Sequence, residues 1–273
     1  KAGDKALLCM PLEYIAGKMV VVRSIEHHLQ LICVEPSGHP LEHITTPLDF
    51  AAMVPMQVYN SLKVPEEREK LRSIRHLIIG GGPVNDDLQH ELACFSNCIW
   101  STYGMTETLS HIALRRLNGR DASLWYTPFD SVAIFLNSKG CLVIDAPLVH
   151  EGRLETHDRA EIQDGKFRII GRLDNVINSG GIKIQAEEVE KALHPYLNTP
   201  YLISKCKDKK FGEVVVLLSE CADLSLVQSV CCKVLPKFWQ PKHYLYIPYI
   251  PRTATGKPAR KKAENLCCMK LNQ

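Results

Sequence analysis

Four short stretches carry residues whose types and spacing suit chemistry on an anion. "STYGMTET", Ser101 to Thr108, follows an apolar run. Its small hydroxyl residues around a glycine offer N–H and O–H donors to phosphate oxygens, and Glu107 adds a carboxylate for a divalent cation. On spacing alone it reads sooner as a Ser/Thr-rich turn. "IGGGPV", Ile79 to Val84, has three glycines that let a flat ring lie against bare backbone, or that form a tight strand-to-helix turn. The spacing is not GxGxxG, so the dinucleotide fingerprint does not apply. "GRLDNVINSGGIKI", Gly171 to Ile184, suits a hinge followed by a loop that closely approaches a ligand, or else the turns of a hairpin at Asp174-Asn175 and Gly180-Gly181. "PRTATGKPARKK", residues 251 to 262, holds five Lys or Arg among its twelve residues. It is either a basic tail or a loop that presents one lysine. It is no Walker motif, because no glycine stands five residues before Gly256 and Pro258 follows the lysine.

The elements that must position these residues alternate in type. "KALLCM" reads as a buried strand, "IAGKMVVVRSIEHHL" as a helix and "LQLICVEP" as a strand, which is a βαβ crossover in a parallel sheet. "HLIIGGGPV" repeats the strand and turn, "NDDLQHELACF" is a helix with an Asn/Asp start, and "CIWSTYGMTET" is a strand entering a polar loop. From about Asn118 the texture changes to short strands, with a hairpin turn at Ser138-Lys139-Gly140. "AEEVEKALHPY" is an amphipathic helix whose Val189, Leu193 and Tyr196 share a face. A hairpin across Lys207 to Gly212, a helix over "LSLVQSVCCKVL" and a strand "HYLYIPYI" follow. The expected fold is therefore α/β: part of a large domain with a mostly parallel sheet and a small β-barrel subdomain, then a small α+β C-terminal domain. The expected domains are 1–173, with the β-rich part at about 118–172, and a small mobile domain at 174–273.

Composition narrows the partners. The 273 residues carry 33 basic and 30 acidic side chains, and a net charge of +3 is too small to argue for nucleic acid or an anionic membrane. No apolar run approaches the roughly 20 residues that span a bilayer. Eleven cysteines show no paired CxxC spacing for zinc, and the vicinal pairs Cys231-Cys232 and Cys267-Cys268 read as incidental. Free thiols in such number suit a reducing cytosol, so a cytoplasmic protein is expected.

"STYGMTET", "THDRAEI", "GRLDNVINSGGIKIQAEEVEKAL" and "PRTATGKPARKK" occur in the order found in adenylate-forming enzymes, the superfamily of acyl-CoA synthetases, luciferases and peptide-synthetase adenylation domains. The resemblance is strong over about residues 75 to 262 and looser from residue 7. Within the superfamily, the compact build and the "WQPKHYLYIPYIPRTATGKPARK" ending look most like the o-succinylbenzoate:CoA ligases of menaquinone biosynthesis. The resemblance implies an AMP-forming acid-thiol ligase that uses ATP, magnesium ion and coenzyme A on a small carboxylic acid, with no nucleic-acid or membrane partner. A homodimer is one oligomeric state that it allows. It further implies that Gly80, Gly81 and Gly82 border an adenine on which Tyr103 stacks, next to Gly104. Thr106 contacts the α-phosphate, Glu107 is the metal ligand, and Asp158 with Arg172 holds the ribose. Asp174 is the hinge. Ser179, Gly180 and Gly181 line a passage for the pantetheine arm, and Lys257 is the catalytic lysine, with Thr255 and Gly256 shaping its turn. Thr108, Ser110 and His111 are the candidates for contacting the acyl group, although an ordinary polar strand end accounts for them too.

The chain departs from the superfamily in two places. The "TSGTTGKPK" type of phosphate loop expected upstream of Pro11 is absent, and the expectation is a piece of a longer protein that starts at Lys1 after that loop. A "PLHH" type of stretch reads Pro11-Leu12-Glu13-Tyr14, so the role given to its histidine has no bearer here. Three alternatives stand beside the ligase for o-succinylbenzoate: a synthetase for another carboxylic acid, a non-catalytic relic of the fold, and a nucleic-acid tail. Arg260, Lys261 and Lys262 are expected to begin a solvated terminal helix.

Overall fold

In the computed structural model the described residues are 1–253 and 257–271. Seven strands form the first sheet: β1 (Lys5–Leu8), β2 (Gln30–Cys33), β3 (Phe50–Met53), β4 (His76–Ile79), β5 (Cys98–Gly104), β6 (His111–Arg116) and β7 (Thr127–Pro128). They lie in the order β2-β1-β3-β4-β5-β6-β7. The strands from β2 to β5 pair in parallel, while β6 and β7 add antiparallel. The apolar bursts are continuous because helices cover the parallel strands, and Leu7, Met53, Leu77, Ile79 and Ile99 are all buried.

Local chemistry sets the helix boundaries. Helix α1 (Ile15–Glu26) buries Gly17, Val20 and Ser24 on one face. Gly17 permits that packing, because a Cβ there would stand 2.4 Å from the Pro11 carbonyl oxygen. Helix α2 (Pro55–Lys63) opens on a proline, with the Gln57 side chain accepting from the Val54 N–H at 3.1 Å. Pro65 ends α2 and begins α3 (Pro65–Ser73). In α4 (Asp86–Leu92) the Asn85 side chain accepts from the Leu88 N–H at 2.9 Å, and Asp86 and Asp87 face the positive end of the dipole.

A second sheet has the order β11-β10-β9-β8, from β8 (Ala133–Leu136), β9 (Cys141–Asp145), β10 (Arg153–Gln163) and β11 (Lys166–Arg172). The third contains β12 (Val176–Ser179), β13 (Ile182–Gln185), β14 (Tyr201–Asp208), β15 (Gly212–Ser219) and β16 (His243–Tyr246). Strand β15 alternates between two cores. Val215 and Leu217 pack with Val189 and Leu193 of α5 (Ala186–Leu193) and with Val227 and Cys231 of α6 (Leu224–Val234). Val214, Val216 and Leu218 pack with Ala263 and Cys267 of α7 (Arg260–Leu271).

The chain divides into two compact units. Lys1–Phe135, Val143–Glu155 and Ile162–Arg168 form one; Leu136–Leu142, Thr156–Glu161 and Ile169–Gln273 form the other. No helix among the described residues is long and apolar enough to cross a membrane. All eleven cysteines are free.

Two expectations fail locally. Tyr196 lies past the end of α5 and is 60% exposed, because the helix stops at Leu193 before the face comes round again. Arg260 begins α7 but is not solvated like Lys261 and Lys262, since its guanidinium is turned inward onto Glu190.

Candidate functional site

In the first unit the candidate residues leave the carboxyl ends of β4 and β5, which are neighbouring parallel strands. Gly80 donates its N–H to the Met53 carbonyl at 3.0 Å. A Cβ at Gly80 would stand 2.3 Å from Thr102 Oγ1, so β5 approaches bare backbone there. Gly81 turns at φ +76, where a side chain is strained, and Gly82 follows half-buried. Tyr103, half-buried on β5, meets the buried Phe167 edge-on at 5.0 Å and Tyr126 at 5.9 Å, so its ring is braced. At Gly104 the pairing of β5 with β6 slips in a bulge. A Cβ at Gly104 would lie 2.5 Å from both His111 Cα and the Ser110 carbonyl oxygen.

Beyond the bulge Thr106 and Glu107 are exposed on the single 3-10 turn Thr106–Thr108. Thr108 is buried. Its Oγ1 accepts from the Met105 N–H at 3.1 Å and donates toward the Met105 and Ser110 carbonyls at 3.0 and 2.8 Å, so the loop consumes this hydroxyl. Leu109 follows at φ +57, an uncommon conformation for a residue with a Cβ, and it is exposed.

Arg23 of α1 completes this cluster, and reasoning from sequence missed it. Its Nη2 donates to Ser110 Oγ at 2.5 Å and lies 3.3 Å from His111 Nδ1, while Nη1 donates to the Met19 carbonyl at 3.4 Å. Burial pushes the guanidinium below its usual range, and no carboxylate pairs with it among the described residues. His111 is held down to about 4, by burial first and by Arg23 second, so its imidazole is neutral at pH 7. The only signal in the sequence was an arginine directly after the apolar run Met19–Val22.

The second unit gathers another set. Arg172 Nη1 donates to Asp158 Oδ1 at 3.1 Å and Nη2 to Asp174 Oδ2 at 3.2 Å, one guanidinium spanning two carboxylates. His157 Nδ1 stands 3.1 Å from both Asp174 oxygens. The His157 hydrogen bond and then Arg172 hold the Asp174 carboxyl below its ordinary range. Thr156 Oγ1 donates to the Leu142 carbonyl at 2.8 Å and accepts from the Asp158 N–H at 3.1 Å, which fixes the strand beneath Asp158. Ser179 ends β12, and Gly180 and Gly181, at φ +57 and +85, form the two-residue turn into β13. The Gly180 N–H donates to the Phe211 carbonyl at 2.8 Å, and the Lys242 ammonium lies 5.0 Å from the Phe211 ring centre.

Lys257 is exposed, and its loop is closed at the neck. The Thr253 N–H donates to the Lys257 carbonyl at 2.8 Å, the Lys257 N–H to Thr253 Oγ1 at 3.2 Å, and the Ala259 N–H to the Pro251 carbonyl at 2.8 Å. Thr255 and Gly256, expected to shape the turn, lie outside the described residues. Among the described residues no three His, Cys, Asp or Glu side chains stand together as a metal site.

Gly-rich and Ser/Thr-rich loops at the carboxyl ends of adjacent parallel strands define an α/β protein built to take a ligand at those ends. Comparison with known proteins sharpens that class. The family of AMP-binding enzymes matches residues 1–134. The 2-succinylbenzoate--CoA ligase of Salmonella typhimurium is 27% identical over 286 residues, covering 97% of this chain and 60% of that protein. The structure of an acyl-CoA synthetase (AMP-forming)/AMP-acid ligase II-like protein from Dyadobacter fermentans is 31% identical, with a TM-score of 0.62 over 96% of this chain and 77% of that one. The o-succinylbenzoate coenzyme A synthetase of Bacillus subtilis, solved with ATP and magnesium ion, shares the fold at 22% identity, with a TM-score of 0.75 over 95% of this chain and 61% of that one. The chain belongs to the AMP-binding, adenylate-forming enzyme family. It spans about 60% of the length of the Salmonella relative.

Proposed function

We propose that this chain is part of an AMP-forming acid:CoA ligase whose acid is o-succinylbenzoate, the acid named in the Salmonella relative. The observation that carries the choice of acid is Arg23. A mostly buried guanidinium with no carboxylate partner among the described residues, held toward Ser110 and His111, awaits an anion, because a desolvated unpaired charge is costly. O-succinylbenzoate has two carboxylates, and one remains ionised after the other is activated. Arg23 with Ser110 is suited to that second carboxylate, and a neutral His111 adds no competing charge.

The chemistry proposed runs in two halves. The acid's carboxylate attacks the α-phosphorus of ATP, giving an acyl-adenylate and pyrophosphate; the CoA thiol then adds to the acyl carbon and AMP leaves. Gly80 to Gly82 and the braced Tyr103 ring fit a purine face, since bare backbone and a fixed aromatic ring both admit a flat partner. Asp158 and Arg172 fit the ribose hydroxyls. Thr106 and Glu107 face outward beside one another, and Glu107 is the single carboxylate that a phosphate-bound magnesium ion needs from the protein. Magnesium, when bound, neutralises charge on the phosphate oxygens. Lys257 brings the cation to the oxygens where charge develops, Asp174 is the hinge, and Ser179 to Gly181 border the CoA arm.

ATP–pyrophosphate exchange in the full-length protein tests the reading. Exchange is expected with o-succinylbenzoate and not with benzoate, to be abolished in Lys257→Ala, and to need about 100-fold more acid in Arg23→Ala, the scale set by losing a charged hydrogen bond. No exchange with any acid overturns it in favour of a non-catalytic member of the fold. Equal use of benzoate overturns the choice of acid alone.

A further inference from the structure

Arg260 lies three residues beyond Lys257, and its guanidinium meets Glu190 of α5 through two hydrogen bonds, Nη1 to Oε1 at 3.0 Å and Nη2 to Oε2 at 2.7 Å. One residue of β14 is drawn into the same ring: Arg260 Nη1 donates to the Ile203 carbonyl at 3.1 Å, and Glu190 Oε1 accepts from the Ile203 N–H at 2.9 Å. Both side chains are about three-quarters covered, at 25% and 22% exposure, and Glu187 stands 4.0 Å from Arg260 as a weaker second anion. Such a fork-to-fork pair is directional, so it sets position as well as adding energy.

We propose that Arg260 and Glu190 are positioning residues for Lys257, a clamp that fixes the base of the lysine loop against α5 and β14. The neck of the loop starts within three residues of the clamp, and Pro258 stiffens the link by locking its φ. Helix α7 does not depend on the clamp to stay docked, because Ala263 and Cys267 are fully buried in the core with Leu202, Val214 and Val216. Loss of the clamp therefore frees the first turn of α7 and the loop neck while the rest of the unit keeps its packing. A pair that only glued α7 to the sheet would not discriminate between the two halves of the reaction.

This inference rests on the proposed role of Lys257 in the adenylation half. The test uses R260Q, R260K and E190Q in the full-length protein, with three readouts: ATP–pyrophosphate exchange, AMP release from preformed acyl-adenylate on adding CoA, and hydrogen exchange of the segment 251–259. R260Q is expected to lower kcat for pyrophosphate exchange about 30-fold, the scale of a modest misplacement of a catalytic group, with the KM for acid and ATP within about threefold. The CoA half should stay within about threefold, R260K should recover part of the loss, and the segment 251–259 should exchange faster. If R260Q does not fold, E190Q carries the same comparison with the shape of the pair kept. Equal losses in both halves, or unchanged hydrogen exchange in the segment, overturn the clamp. If the wild type exchanges pyrophosphate with no acid while the segment still loosens in R260Q, the clamp on the loop stands and the ligase reading falls.

Discussion

His111 puts pH dependence on a single side chain. Its folded value of about 4 lies below the unfolded 6.5, so above about pH 6.5 both states are neutral and the group contributes no slope. As the pH falls from 6.5 toward 4, the unfolded chain takes up a proton that the fold refuses, and stability is lost. After discounting for partial exposure, the loss amounts to about 2 kcal/mol across that window. Urea unfolding of His111→Gln should show a shallower acid slope than the wild type over pH 6.5 to 4, and identical slopes would show that His111 is not held neutral. Gly104 is the sharper constraint. Its missing Cβ leaves room for the backbone of β6, which cannot step aside as a flexible side chain can. Gly104→Ala should cost about 3 kcal/mol in chemical denaturation, near the top of the usual range for overpacking.

At the scale of elements, β15 is the strand on which the second unit depends. Its residues "GEVVVLLS" read as an unbroken apolar run because both faces are covered, by α5 and α6 on one side and by α7 on the other. Leu217, fully buried, belongs to the face under α5 and α6. Leu217→Ala should lower stability by about 3 kcal/mol, and a loss below about 1 kcal/mol would contradict the packing. The sequence made β15 visible as a strand, but periodicity does not say which helix covers which face. Helices α2 and α3 show the opposite limit. Their prolines mark the starts, yet the highly polar "PEEREKLRS" of α3 buries only Glu67 and Leu71 and carries little periodic signal. Glu67 is accepted inside because Ser61 Oγ donates to it at 2.7 Å and His39 Nδ1 lies 2.8 Å away.

At the scale of the whole molecule, the residues proposed for the reaction are carried on both units, and the proposed hinge is Asp174. Asp174 sits in the 3-10 turn Leu173–Asn175. A proline at that position fixes φ near the helical value and removes one rotatable bond. Asp174→Pro should therefore depress one half-reaction by about tenfold or more while sparing the other, as read by pyrophosphate exchange against CoA-dependent AMP release. Equal effects on both halves would count against a hinge there. Nearly balanced charge over 273 residues leaves little to long-range attraction, and the recognition proposed above rests on placed groups such as Arg23, Arg172 and Lys257.

By itself the sequence determined the alternation of strand and helix outside residues 35–75, several turn glycines, the Asn/Asp start of α4 and the four ordered motifs, because each is written in neighbouring residues or in a short period. It pointed to the Lys257 loop and to the stretch from Ser101 to His111 for the same reason. Only the tertiary structure brought Arg23 to Ser110 across 87 positions and Arg260 to Glu190 across 70. It likewise showed that Thr108 uses its hydroxyl on its own loop. Such contacts depend on which faces of which elements are buried together. A charged residue's spacing in the chain carries no record of the partner that folding will set beside it.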